Sequence, residues 1–178
     1  LLLIGLAGLL VGWAYSAPPC RLQSRGLGEF GITFAWLLVV VGADFVQRHA
    51  FSFVPVAAGL GFALLVANVL YINQFPDISA DAKVGKRTLV VRLGAPAARW
   101  GYLLLVLLAY GWVAALALAG ILPGLAWLSL LPMAASGLAT RRLWANATRP
   151  RELAPAIKLT ILAAVLHGLL LAGALAVA

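Results

Sequence analysis

The sequence predicts an all-α fold, a bundle of helices that crosses a membrane several times. Of its 178 residues, 64% are hydrophobic and only 10% are charged, whereas typical soluble domains are about 45–50% apolar and about 25% charged. A soluble domain of this size cannot cover so much apolar surface, and disordered chains have low hydrophobicity. No stretch alternates apolar and polar residues over the length of a strand, which argues against a membrane protein built from strands.

Six apolar runs approach the length of about 20 residues that a helix needs to cross a bilayer. The runs are 1–15, 28–46, 51–75, 100–122, 124–140 and 155–178. The chain opens inside the first run and does not begin with Met, so we expect this span to be incomplete and the chain to be truncated at its N-terminus. The fifth run is short and contains Pro132, which predicts a kinked or tilted helix.

The basic residues are concentrated in alternate loops. Loops 16–27, 76–99 and 141–154 hold all of the 13 Lys and Arg residues except Arg48 and Lys158. The positive-inside rule therefore predicts that these three loops of an integral membrane protein are cytoplasmic. High usage of Ala, Leu and Arg favours a GC-rich bacterial source, so we expect a bacterial inner membrane. Topology and the anionic headgroups of the lipid bilayer explain the net charge of +8, so we expect no nucleic-acid partner.

Two of the five acidic residues lie close together, in the segment Asn73-Gln-Phe-Pro-Asp77-Ile-Ser-Ala-Asp81. Spacings of four residues place Asn73, Asp77 and Asp81 on one face of a helix at the end of the third span. Pro76 is expected to bend or restart that helix. Neighbouring carboxylates repel each other and are costly near a membrane. A divalent cation removes both costs, and carboxylates with an amide oxygen suit Mg²⁺.

A basic segment, Lys83-Val-Gly85-Lys86-Arg87, comes directly after the acidic one. Cations beside a carboxylate–Mg²⁺ site suit a phosphate ester, and Gly85 allows a close approach of the backbone. The alternative is a solvated helix end at which the two aspartates pair with the cations of the basic segment. Asn73, one turn earlier, and the clustered cations favour the metal site.

The segment 73–94, NQFPDISADAKVGKRTLVVRLG, resembles the second aspartate-rich motif of the UbiA-type intramembrane prenyltransferases. Its GKRTL…RLG continuation is most similar to the branch that prenylates 1,4-dihydroxy-2-naphthoate in menaquinone synthesis. The segment YSAPPCRL at 15–22, followed by Gly28-Glu29, is similar to the family's cytoplasmic loop after its fourth helix. The resemblance covers essentially the whole chain, as the fourth to ninth of the family's nine helices. It implies one domain, 1–178, without the family's first aspartate-rich motif.

The resemblance implies a Mg²⁺-dependent enzyme that acts on an isoprenyl diphosphate and an aromatic quinone precursor. The implied metal ligands are Asn73, Asp77 and Asp81. The implied diphosphate contacts are Arg21, Lys86 and Arg87. Tyr15 would join the two aspartates as a catalytic residue near the allylic carbon or the diphosphate. The chain would thus supply one of the two metal clusters on which activity depends.

This chemistry has a physical logic of its own. The diphosphate leaves as a highly charged anion, which Mg²⁺ and cationic side chains stabilise. The allylic cation then needs a dry apolar cavity, and aromatic faces stabilise it. Trp13, Trp36 and Tyr71 lie in spans that can line such a cavity.

Several assignments stay open at the level of sequence. The acceptor could be 4-hydroxybenzoate, and the isoprenoid chain length and oligomeric state are undetermined. A cation-coupled transporter would use the two aspartates as its cation site, but such proteins place polar groups near the midplane. A structural subunit would bind no ligand.

Three further residues keep alternative roles. Glu29 either orients Arg21 or Arg25 or favours the start of the second span. Asn68 either lines the cavity or bonds a neighbouring helix. His167 lies in the middle of the last span, and we expect a packed, hydrogen-bonded residue.

Overall fold

A computed structural model describes all 178 residues as helices and connecting loops, without a β-strand. The α-helices are α1 (Leu2–Ser16), α2 (Gly28–Arg48), α3 (Val54–Lys83), α4 (Leu89–Leu93), α5 (Ala95–Leu118), α6 (Met133–Asn146) and α7 (Ala154–Ala176). Short 3-10 helices cover Leu22–Arg25, Gly124–Leu130 and Pro150–Glu152. The predicted all-α class is confirmed.

Four helices, α2, α3, α5 and α7, are long and apolar enough to cross a membrane. The first predicted span is the shorter apolar helix α1, of 15 residues. The fifth is divided between the 3-10 helix Gly124–Leu130 and α6, with Pro132 at the N-cap of α6. The predicted kink at Pro132 is therefore a change of helix type.

Proline positions explain several helix boundaries. Pro55, Pro96 and Pro155 lie in the first turns of α3, α5 and α7, where a backbone N–H would have no partner in its own helix. Pro76 behaves differently, because α3 continues through it to Lys83. Of the two effects expected of Pro76, a bend or a restart of the helix, the restart is wrong. The helix α3 packs against α2, α5 and α7, and this packing supports it across the proline.

The central helix of the bundle is α3. Of the 18 residues in its most apolar stretch, 61% are buried, whereas the corresponding fraction in the other three long helices is 17–33%. Its small residues permit close packing, since a side chain at Gly61 would collide with Val113 of α5. The acidic motif is therefore carried by the most buried of the long helices.

Buried polar side chains join the helices on one side of α3. The hydroxyls of Tyr102 and Thr160 lie 2.7 Å apart and connect α5 to α7. His167 Nδ1 lies 2.7 Å from the carbonyl oxygen of Ser129, in keeping with the packed role expected for His167. Asn68 is buried without a hydrogen-bond partner, so it does not bond a neighbouring helix.

The segments 16–27, 76–99 and 141–154 lie at one end of the bundle, which we call the basic end. The backbone N–H of Arg87 donates to the carbonyl oxygen of Ser24 at 3.2 Å. The guanidinium of Arg99 lies over the ring of Trp144, 5.3 Å from its centroid. These contacts connect the second segment to the first and to the third.

Candidate functional site

The last turns of α3 present the acidic motif at the basic end. Asn73 and Asp77 are exposed, and the side chain of Asp81 is 13% exposed. Asn73 Nδ2 donates to the carbonyl oxygen of Val69 at 2.7 Å. Because the amide nitrogen is engaged, the amide oxygen is the atom left for a ligand.

These residues supply the oxygen donors that a hard divalent cation prefers. Asp81 Oδ2 is buried and has no hydrogen-bond partner, which is costly for a carboxylate unless a cation or donor completes it. No group of three or more His, Cys, Asp or Glu converges in the chain. The motif is therefore a partial ligand set, which suits a metal bound by one or two carboxylates, waters and substrate phosphates.

A Schellman motif at the end of α3 brings a cation back onto the acidic face. Gly85 has a φ of +72°, and its N–H donates to the carbonyl oxygen of Ala82 at 3.2 Å. The N–H of Lys86 reaches the carbonyl oxygen of Asp81 at 2.9 Å. Glycine adopts this left-handed conformation without a steric cost. As a result, Lys86 Nζ lies 3.2 Å from Asp81 Oδ1.

The two basic loops nearest the motif form one unit, which we call the loop pair (residues 17–27 and 84–88). Besides the Arg87–Ser24 bond, Arg92 Nε donates to the carbonyl oxygen of Arg87 at 2.9 Å. The side chain of Arg92 also packs on Gly26, where an added Cβ would lie 3.0 Å from Arg92 Cδ. The loop pair thus holds the cations of two distant segments beside each other.

The remaining predicted site residues lie on or next to the loop pair. Arg21 and Arg87 are exposed, and neither takes part in the two ion pairs of the structure. Tyr15 is half-buried and packs on the start of α2, where a Cβ at Gly31 would lie 3.2 Å from Tyr15 Cδ2. The structure therefore joins Lys86 directly to the motif and leaves Arg21 and Arg87 open to an anion.

A buried polar bridge lies behind the motif, and the sequence did not predict it. Gln74 Nε2 donates to Glu29 Oε1 at 2.5 Å, and Gln74 Oε1 accepts the N–H of Val90 at 3.4 Å. Glu29 and Gln74 are 7% and 8% exposed. Arg25 donates instead to the carbonyl oxygen of Pro19, and Glu29 forms no ion pair. Of the two alternatives for Glu29, the structure therefore does not support the one in which it orients Arg21 or Arg25. The one available signal was a polar Gln74 among apolar neighbours on the inner side of α3.

An apolar groove lies along the face of α3 that also carries Asn73. We call it the motif groove; it has a volume of about 380 Å³ and is lined by Trp36, Phe62, Val66, Val69, Ile161, Ala164, Val165, Gly168 and Leu169. Residues 62, 66, 69 and 73 share one face, because they are spaced by three or four. The ring of Trp36 packs edge-on against Phe62, with centroids 5.6 Å apart.

The other two aromatic candidates lie elsewhere. Tyr71 lies on the opposite face of α3 and donates to the carbonyl oxygen of Ala98 at 2.8 Å. Trp13 is exposed on α1. Only Trp36 of the three lines the motif groove.

A third aspartate, Asp44, lies at the far end of α2. Asp44 Oδ1 lies 3.1 Å from Arg48 Nε, one helical turn away. Oppositely charged residues one turn apart on an exposed helix commonly form such an ion pair. Asp44 is therefore a suitable control position for substitutions of Asp77 and Asp81.

Comparison with known proteins gives one family and several relatives. The model described as the UbiA prenyltransferase family matches residues 1–166. A Mycobacterium tuberculosis protein named 1,4-dihydroxy-2-naphthoate octaprenyltransferase is 30% identical over 184 residues, covering 99% of this chain and 59% of the relative. A Haemophilus influenzae protein of the same name is 36% identical over 93 residues, 52% of this chain and 30% of the relative.

A Synechocystis 2-carboxy-1,4-naphthoquinone phytyltransferase is 34% identical over 94 residues, 52% of this chain and 30% of the relative. The chain thus spans between 30% and 59% of the length of these three relatives. No solved structure matches the chain.

Proposed function

The chain belongs to the UbiA prenyltransferase family, and from this membership we propose that the protein transfers an isoprenyl group from an isoprenyl diphosphate to an aromatic quinone precursor. The observation that carries the proposal is Asp81, whose buried Oδ2 has no partner while its Oδ1 contacts Lys86. A metal–diphosphate pair matches this arrangement, because it supplies a cation to the carboxylate and an anion to the lysine.

UbiA prenyltransferases generally depend on a divalent metal, and we propose Mg²⁺ here. Asn73, Asp77 and Asp81 would hold the metal through their side-chain oxygens. When bound, the metal stabilises negative charge on the departing diphosphate. Lys86 exchanges its contact with Asp81 for the diphosphate, and Arg21 and Arg87 add cations from the loop pair.

The motif groove is the proposed site of the isoprenyl chain. It lies on the face of α3 that carries Asn73 and is lined by apolar side chains, which would keep water away from the chain. When the carbon–oxygen bond breaks, its electron pair leaves with the diphosphate. Phe62 lies 11 residues from Asn73 on α3, about 17 Å along the helix, so Phe62 and the ring of Trp36 packed against it would contact the far isoprene units of the chain. Tyr15, packed on the start of α2, is the proposed catalytic residue at the diphosphate end.

We propose 1,4-dihydroxy-2-naphthoate as the acceptor, since two of the relatives carry that compound in their names. The ring carbon that bears the carboxylate attacks the allylic cation and a carbon–carbon bond forms. The bond to the carboxylate then breaks, carbon dioxide leaves, and the released electron pair restores the aromatic ring. The proposed location is a bacterial inner membrane, with the basic end facing the cytoplasm.

The test uses membranes that contain the full-length protein, given a radiolabelled isoprenyl diphosphate and either 1,4-dihydroxy-2-naphthoate or 4-hydroxybenzoate, with and without Mg²⁺. We expect a lipid-soluble product that requires the metal and the naphthoate. Asp77→Asn and Asp81→Asn should each lower its rate by about 100-fold or more, the loss typical of removed transition-state charge stabilisation.

Asp44→Asn is the matched control, because Asp44 is also a helical aspartate but lies at the other end of α2 in an ion pair. It should leave the rate within about twofold of the unmodified protein. The enzyme proposal fails if no acceptor yields product, or if product survives the double substitution of both motif aspartates. Metal-dependent cation flux without product would favour the transporter.

A further inference from the structure

A second groove runs along the face of α3 that is turned away from Asn73. This α2–α5 groove has a volume of about 540 Å³ and is lined by 13 residues, of which ten are hydrophobic. Leu60, Leu64 and Tyr71 of α3 contribute to its wall. Tyr71 is two residues from Asn73, about 200° around a helix, so α3 separates this groove from the motif groove.

The groove opens outward between α2 and α5. Its lining residues Phe30 and Phe34 of α2 and Leu104 and Leu108 of α5 are each 49–75% exposed. An apolar opening on a membrane-spanning bundle faces lipid rather than water. A molecule dissolved in the bilayer can therefore enter from the side.

Two polar residues line the otherwise apolar groove at its basic end. Glu29 and Thr33, one turn apart on α2, both line it. The carboxylate of Glu29 accepts a 2.5 Å hydrogen bond from Gln74, which uses one of its roughly four acceptor positions. A carboxylate that is 7% exposed beside leucine and phenylalanine side chains is stabilised by any further donor.

These features select among the molecules of a membrane. A phosphate headgroup is repelled by the carboxylate, and a plain acyl chain offers it no donor. An ammonium group loses much of its hydration in an apolar groove. A phenolic hydroxyl is neutral and donates a hydrogen bond, and a hydroxylated ring with an apolar tail fits the range of about 300–1,000 Å³ usual for ligand sites.

We propose that the α2–α5 groove binds a prenylated hydroquinone, with a ring hydroxyl on Glu29 and the isoprenoid tail between α2 and α5. This choice of ligand rests on the proposed function, because the product of that reaction is a prenylated hydroquinone. The groove is a second site for that product, on the opposite side of α3 from the site where it would form.

The test uses the full-length protein in lipid nanodiscs and 2-farnesyl-1-naphthol with a photoreactive diazirine in its tail. Labelled peptides are identified by mass spectrometry, and we expect them to come from α2 and α5. The methyl ether of the same probe lacks the donor, and its half-saturating concentration should be about tenfold higher or more, as for the loss of one hydrogen bond to a charged group.

Leu104→Trp fills the groove and should reduce labelling at least about fivefold. Its matched control is Leu107→Trp on the same helix, because Leu107 is 58% exposed against 56% for Leu104 but does not line the groove. Glu29→Gln should weaken the naphthol and leave the ether unchanged. If Glu29→Gln does not fold, the two tryptophan variants still decide the question.

The labelling pattern also distinguishes the α2–α5 groove proposal from the proposed prenyl-transfer activity. Labelling of α2 and α5 that persists in Asp77→Asn/Asp81→Asn supports the groove, even if prenyl transfer is never detected. Labelling confined to α7 would place the probe in the motif groove and overturn the inference. Equal labelling by the naphthol and its ether, unchanged by Leu104→Trp, would show that the groove contacts only bulk lipid. This result would also overturn the inference.

Discussion

The side chain of Gln74 lies between the buried carboxylate of Glu29, to which it donates at 2.5 Å, and the backbone N–H of Val90, which it accepts at 3.4 Å. One amide therefore connects α2, α3 and α4 directly behind the acidic motif. Both the NH₂ group and the oxygen of the amide form hydrogen bonds, so a smaller or apolar residue at this position would leave their partners unpaired.

Gln74→Leu should destabilise the protein. It leaves the Glu29 carboxylate and the Val90 N–H without their partner, and buried groups left unsatisfied in this way cost about 1–3 kcal/mol or more. Thermal unfolding in detergent measures the loss. Gln47→Leu, the same substitution at an exposed position of α2, is the control and should change the unfolding midpoint little. Equal midpoints for the two variants would show that the bridge contributes nothing.

Gly85→Ala should weaken both the helix end and the binding of diphosphate. A residue with a side chain at a φ of +72° is strained by about 1–2 kcal/mol, and relief of that strain moves Lys86 away from Asp81. We expect KM for the isoprenyl diphosphate to rise about fivefold with a smaller change in kcat.

Gly111→Ala serves as the control for Gly85, since a Cβ at Gly111 meets no atom within 4 Å and the position lies inside α5. It should be neutral or slightly stabilising. A Gly85→Ala variant with unchanged KM would contradict the role given to the Schellman motif.

Lys86→Gln and Lys83→Gln should differ although the two lysines are three residues apart. Lys86 contacts Asp81 at 3.2 Å, whereas Lys83 is exposed and takes part in neither ion pair. Loss of one cation from a diphosphate site costs about tenfold or more in affinity, so KM should rise by that factor for Lys86→Gln alone. Steady-state kinetics at saturating acceptor measures KM for the isoprenyl diphosphate. Equal effects of both variants would show that this segment attracts the diphosphate only through its overall charge.

Tyr102→Phe and Thr160→Val should show a coupling energy of about 0.6–1 kcal/mol in a double-mutant cycle. Their hydroxyls lie 2.7 Å apart in the buried contact between α5 and α7, and hydrogen bonds between membrane helices are worth about this much. Reversible unfolding of the four proteins gives the value. Strictly additive effects of the two substitutions would exclude an energetic contribution from the bond.

The parts of the site that depend on nearby residues were predictable from sequence. Asn73, Asp77 and Asp81 share a face because helical periodicity alone places them there. The Lys86–Asp81 contact results from a glycine at a helix end. The alternation of basic loops likewise indicated that the segments around Arg21 and Arg87 share one end of the bundle.

The parts that depend on contacts distant in sequence were not predictable. The bond between Gln74 and Glu29 joins residues 45 positions apart, and nothing in either local segment specifies the partner. The continuity of α3 through Pro76 has the same origin, since its neighbours in space outweigh the local preference of proline. The α2–α5 groove depends on how far two helices are held apart, which a single sequence does not state.

The position of α3 between two grooves makes the number of residues along it critical. Residues on its opposite faces line the motif groove and the α2–α5 groove. Each residue added to a helix turns the rest of that helix by about 100°. A single-residue insertion between Phe62 and Asn73 would therefore rotate the aspartates out of line with the motif groove while every side chain remained present. The length of this stretch is thus expected to tolerate less change than its lipid-facing composition, because an insertion or deletion turns the acidic motif away from the face that lines the motif groove.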